Sequence, residues 1–133
     1  MHIFATENME EVKGSQQTFD KLFINGKCLL DDFEEEIRKN KQHYSEYKTI
    51  LSYMNMLADG QSLPRKKFRE IEGKKPNVKR YEFKSKNLRV YAFNKPNGKI
   101  VVIGGYKSNQ DKDITQLNAI VTEFLSHQPD KRK

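Results

Sequence analysis

The stretch VKRYEFKSKNLRVYAFNKPNGKIVVIGGYK, residues 78–107, decides the fold. Its opening alternates, with Val78, Arg80, Glu82 and Lys84 on one face and Lys79, Tyr81 and Phe83 on the other, the period-two pattern of a strand. Residues 88–95 repeat the pattern, Leu88, Val90 and Ala92 against Arg89, Tyr91 and Phe93. Residues 99–106, KIVVIGGY, are almost continuously apolar, which predicts a strand covered on both faces and therefore central. Ser85-Lys86-Asn87 and Pro96-Asn97-Gly98 are connections of hairpin length, the second with the Asn-Gly pair that favours tight turns. Strands joined this closely must run antiparallel.

Helical spacing lies on both sides of these strands. Downstream, DKDITQLNAIVTEFLSH sets Ile114, Leu117, Ile120 (or Val121) and Phe124 on one stripe, with Asp111 or Asp113 expected as N-cap. Upstream, TFDKLFINGK reads as a strand closed by an Asn25-Gly26 turn. CLLDDFEEEIRKN then places Leu30, Phe33 and Ile37 at helical offsets, and QHYSEYKTILSYMNMLADG does the same with Tyr44, Tyr47, Leu51, Met54 and Ala58 before a capping Gly60. The segment QSLPRKKFREIEGKKPNV reads as a polar connection with Phe68 and Ile71 as its apolar anchors; at the N-terminus MHIFAT can be read as a strand, but ENMEEVKGSQQ has no sustained period. The expectation is one α+β domain over residues 18–128 in the order β-α-α-β-β-β-α: a small antiparallel sheet, an N-terminal helical hairpin and a C-terminal helix. Residues 1–17 are expected to be an extension and residues 129–133 a basic tail.

Composition narrows the function. The 133 residues carry 25 Lys+Arg and 18 Asp+Glu, a net charge of +7. Residues 1–60 hold 7 basic and 11 acidic residues, whereas residues 64–107 hold 14 and 3. A one-sided field of that kind draws a polyanion. The acidic run at 31–36 reads as a solvated helix face, since consecutive helical residues point in different directions. One cysteine, Cys28, and three scattered histidines form neither a disulfide framework nor a metal-ligand cluster, so no metal or cofactor is expected. A reducing, cytoplasmic location is the expectation; no apolar run has the length of a membrane span, and the N-terminus lacks a signal-peptide pattern.

Arg80, Glu82 and Lys84 share a strand face, Lys86 sits in the following turn, and Arg89 opens the next strand on a side that only the hairpin register can settle. Tyr106 and Lys107 end the apolar strand. A sheet face with cations, a carboxylate and tyrosines has the parts for holding phosphates, stacking a base and moving a proton from a ribose 2′-hydroxyl. Glu82 among basic neighbours also fits a plain cross-strand ion pair. His43 and His127 read as solvated.

Three pieces of the chain together resemble the RelE/ParE superfamily of bacterial type II toxins, nearest its HigB-like and phage Gp49-like branch. LFINGKCLLDDFEEEI is similar to that family's first strand and helix; the segment from LADGQSLPRKKF to NLRVYAF is similar to its connection into a "YELR…YRV" hairpin; and KIVVIGGYKSNQDKDITQLNAIVTEFL is similar to its last strand, basic turn and final helix. The resemblance implies a microbial-ribonuclease-like fold, metal-independent cleavage of mRNA on the ribosome, and neutralisation by a cognate antitoxin. It implies that Arg89 is a phosphate and transition-state ligand, that Glu82 is the acidic group of the preceding strand and candidate base, and that Lys107 is the basic residue after the last strand. It further places Lys84 at an arginine position and Arg80 where some relatives carry a catalytic lysine; Lys86 and Tyr106 complete the expected RNA-binding set. The chain departs from the family in following Lys107 with Ser108 rather than a second basic residue, and in having no Tyr or His near Ile114. Those departures define the alternative: a member of the same fold without nuclease activity, directed at gyrase or acting as a binding regulator.

Overall fold

A computed structural model of the chain describes residues 2–71 and 78–127. The elements run β1 (Phe4–Asn8), β2 (Thr18–Ile24), α1 (Leu29–Ile37), α2 (Lys41–Ala58), β3 (Phe68–Ile71), β4 (Arg80–Lys84), β5 (Leu88–Lys95), β6 (Gly98–Tyr106), a 3-10 turn (Lys107–Asn109) and α3 (Gln110–Ser126). The strands form one sheet in the order β1-β2-β6-β5-β4-β3. The α+β class and the three helices agree with the sequence reading, and the apolar β6 is central as expected. The expected basic tail, 129–133, lies outside the described residues.

Two expectations are corrected. The sheet is mixed rather than antiparallel, because β2 pairs parallel with β6, from Thr18 opposite Gly98 to Lys21 opposite Val101. The helical pair carries the chain from β2 back over the sheet, so β6 returns in the same direction as β2. The element order is also longer than β-α-α-β-β-β-α, with an added strand at each edge. Within the stretch expected as an extension, β1 pairs antiparallel with β2, and Met9 and Val12 are buried in the core. FATEN buries little beyond Phe4, so it shows no two-residue alternation. At the other edge, Phe68–Ile71 pairs with β4, Phe68 opposite Phe83 and Ile71 opposite Arg80. Its two apolar residues are three apart and face opposite sides of the sheet, a spacing that hides a strand.

Helices cover both faces. Phe33, Ile37, Tyr47, Ile50 and Met54 of α1 and α2 pack on Phe19, Phe83, Val90, Ala92 and Val101. On the opposite face, Leu117, Val121 and Phe124 of α3 pack on Leu22, Tyr91, Phe93, Ile100 and Val102. A register shift between Tyr91 and Ala92 lets β6 switch faces along its length. Helix α2 ends as the sequence predicts: Gly60 has φ +88°, its N–H donates to Leu57 O at 2.9 Å, and the Gln61 N–H donates to Met56 O at 2.9 Å. Asn25 and Asn97 take the positive φ that tight hairpin turns need. Helix α3 is capped differently from expectation, since Asn109 occupies the N-cap after the 3-10 turn and Asp111 and Asp113 fall inside the first helical turn.

Candidate nucleic-acid interface

Register brings most of the sequence-nominated residues together. Lys84 lies opposite Arg89, and Glu82 lies between Tyr91 on β5 and Arg69 on β3. Arg89 therefore shares the face of Glu82 and Lys84, the point that sequence left open. That face is also the one α3 covers. The middle of the sheet is closed by α3, and the polar side chains meet at the sheet's end, beneath the first turn of the helix.

Glu82 is fully buried at the centre of this group. The Arg69 Nε donates to its Oε1 at 2.7 Å, the Gln110 side-chain amide donates to its Oε2, and Arg89 Nε stands 3.9 Å from Oε2. Arg89 itself is 7% exposed, and its Nη1 donates to Ser85 O at 2.6 Å and to Leu88 O at 2.8 Å. Those carbonyls fix the guanidinium against the β4–β5 turn. Lys84 sits beside them, its ammonium held below the usual lysine range by burial and by the neighbouring Arg69, Arg89 and Arg65, against which Glu82 pulls the other way. Three cations, Arg69, Arg89 and Lys84, thus gather about the Glu82 carboxylate. Two further polar groups border the cluster. The buried Tyr91 hydroxyl has no hydrogen-bond partner among the described residues, and burial pushes its phenol above the usual range. The Asp113 carboxyl is raised by burial too; it packs where a side chain on Gly105 would stand, and Gly105 is the strand neighbour of Arg89.

Arg80 stands apart from this group. It is 1% exposed at the far end of β4, paired across the sheet with Phe93 and Ile71, and its Nη1 donates to Val78 O at 2.9 Å. That position is buried and separated along β4 from the group around Glu82.

Lys86 and Lys107 are exposed on the rim. Beside them lies an open depression of about 440 Å3 lined by His43, Asn87, Tyr106, Lys107 and Ser108, and a second of about 310 Å3 follows Lys107–Lys112 around the start of α3. The Tyr106 hydroxyl donates to Glu36 at 2.8 Å, and the Tyr106 ring contacts Phe33 at 5.3 Å and His43 at 5.4 Å between centroids. Glu46 of α2 holds the rim in shape. It accepts the Ser85 hydroxyl at 2.5 Å, the Asn87 N–H at 2.8 Å and the Asn87 side-chain amide at 2.7 Å. Burial raises the Glu46 carboxyl, but these hydrogen bonds outweigh it and bring it down to about 2. The turn it clamps in turn binds Arg89 through Ser85 O and the Lys107 N–H through Asn87 O at 2.8 Å.

Arg69, Gln110 and Glu46 escaped the sequence reading, and His43, read there as solvated, is half-buried against Tyr106. Arg69 lies in the unrecognised edge strand, and the other three come from helices whose contacts, Glu46 with the β4–β5 turn, Gln110 with Glu82 and His43 with Tyr106, depend on tertiary register. The acidic run behaves as a solvated face: Asp31 pairs with Lys21 at 3.0 Å, Asp32 with Lys27 at 3.4 Å and Glu34 with Arg38 at 2.9 Å. No group of three metal-ligating side chains occurs among the described residues, and none of their helices is long and apolar enough to cross a membrane. No family model, curated protein or solved structure matches the chain.

Proposed function

We propose that this chain is the toxin of a type II toxin–antitoxin pair, of RelE/ParE-like fold, which grips mRNA in the ribosome and cleaves it without a metal. The observation that carries the reading is the concentration of Arg69, Lys84 and Arg89 around the buried carboxylate of Glu82, with Lys86 and Lys107 on the rim. Such a site holds more positive charge than its own carboxylate neutralises, and a phosphodiester supplies the balance. In cleavage, the ribose 2′-oxygen attacks phosphorus as its proton leaves to a base, the bond to the 5′-oxygen breaks, and a proton from a rim ammonium or water completes the leaving alcohol. Arg89 and Lys107 stabilise the charge that builds on the phosphoryl oxygens. For Glu82 to take the proton, the Gln110 hydrogen bond must open and free Oε2. A cognate antitoxin, covering the basic end of the sheet, and the ribosome are the partners this reading requires; it needs no small-molecule cofactor.

One observation favours a second reading. Glu82 is fully buried with a hydrogen bond to each carboxylate oxygen, as befits a charge anchor for Arg69 and Arg89. A non-nuclease member of the fold, gyrase-directed or regulatory, would use the same cations for binding alone. Expression of the free chain separates the two readings. The nuclease reading expects translation arrest with cut mRNA, relieved by Arg89→Ala; a gyrase poison gives a DNA-damage response with mRNA intact.

A further inference from the structure

We infer that the depression between the start of α2 and the end of β6 is a nucleobase subsite, in which an unpaired RNA base lies against the His43 and Tyr106 rings while Lys107 takes the adjoining phosphate. The inference rests on the RNA-binding part of the preceding proposal and extends it to a residue of α2 that neither charge nor motif singled out. Several independent features converge there. The volume of about 440 Å3 is within the range of roughly 300–1,000 Å3 that small-molecule sites occupy. Its wall carries two π-systems, the His43 and Tyr106 rings, 5.4 Å apart at an interplanar angle of 57°. They offer a base one face and one edge of aromatic surface, a contact every base can use.

The rings are held in advance of any ligand. Tyr106 is fixed by its hydroxyl on Glu36 and by the edge of Phe33. The backbone of His43 is fixed by its N–H donating to the Asn40 cap at 3.0 Å, and its ring lies against that of Tyr106. Asn87 is pinned by Glu46 through both its backbone N–H and its side-chain amide nitrogen, which turns its side-chain oxygen into a fixed acceptor at the rim. Lys107 is exposed and has no carboxylate within ion-pair distance among the described residues. A cation without a protein counter-charge, next to preset rings and an amide, fits a base and its phosphate.

The test compares two probes of equal charge on the full chain: a short oligoadenylate and an abasic ribose-phosphate chain of the same length. Binding is followed by fluorescence anisotropy and by the NMR signals of the His43 and Tyr106 rings. The oligoadenylate is expected to bind more tightly and to shift both ring signals, which the abasic chain leaves in place. His43→Ala, whose backbone cap is retained, is expected to weaken oligoadenylate by about tenfold and the abasic chain hardly at all. Lys107→Ala is expected to weaken both. Equal affinity for the two probes, or unchanged oligoadenylate binding by His43→Ala, overturns the inference. Failure of the cleavage reading shows differently: base-dependent binding with mRNA left intact keeps this subsite and removes the nuclease.

Discussion

Glu82 carries the residue-scale energetics of the interface. A buried carboxylate that accepts from Arg69 and Gln110 and faces Arg89 is satisfied only while all of them are present. Glu82→Gln removes the countercharge and leaves the two guanidiniums facing each other. The expected cost is about 3 kcal/mol, in line with the loss of one partner from a buried ion pair. Chemical denaturation measures it, and a change within experimental error would mean that water already screens the cluster. Glu46 gives a second prediction. Its folded pKa of about 2 lies below the ordinary value of 4.5, so its hydrogen bonds add stability above pH 4.5, and that stability is lost as pH falls towards 2. The stability difference between wild type and Glu46→Gln is therefore expected to be largest near neutral pH and to shrink across that window. Of these residues, sequence singled out Glu82 from its strand and its basic neighbours. Glu46 was illegible, since a glutamate on an exposed helical turn shows its hydrogen-bond partners only when the β4–β5 turn is folded against it.

At the scale of elements, the strands with internal alternation or an unbroken apolar run were legible to within a residue or two: β4, β5 and β6 in the decisive stretch, and β2 before it. The edge strand β3 was not, and β1 showed only in the apolar start of MHIFAT. An edge strand buries one side of a few residues, so its pattern is too short to register, and its pairing is decided by the neighbour it joins. β1 and the loop after it nevertheless belong to the core. Met9 is fully buried, and its N–H donates to Phe19 O at 2.8 Å. Met9→Ala is expected to lower stability by about 2–4 kcal/mol, the cost of a cavity in a packed core. A loss near zero in a thermal or denaturant melt would return residues 1–17 to the status of an appendage. The same reasoning explains the cap of α3. Aspartates at 111 and 113 suggest an N-cap, but the 3-10 turn after β6 starts the helix earlier and brings Gln110 over Glu82.

The whole molecule is a sheet with an acidic helical layer on one face, a single helix on the other, and Arg69, Lys84 and Arg89 gathered beneath the first turn of that single helix. The sequence carried the sign and rough location of this asymmetry in residues 64–107, with 14 basic and 3 acidic residues. Its three-dimensional form was hidden. The middle of the face that carries Glu82 and Arg89 is covered by Leu117, Val121 and Phe124 of α3, Arg80 is buried at the far end of β4, and Lys84, Lys86, Arg89 and Lys107 lie at or just beneath the surface at the other end. The functional claim is accordingly narrower than a basic sheet face: one phosphate grip at the mouth of α3. Primer extension on mRNA in a translating extract tests it most directly, with the wild-type chain, Arg89→Ala and the exposed-rim variant Lys107→Ala compared at equal concentrations of folded protein. The account predicts ribosome-dependent cuts by the wild type, their loss with Arg89→Ala and their weakening with Lys107→Ala. Intact mRNA with the folded wild-type chain, or cutting undiminished by Arg89→Ala, would contradict it.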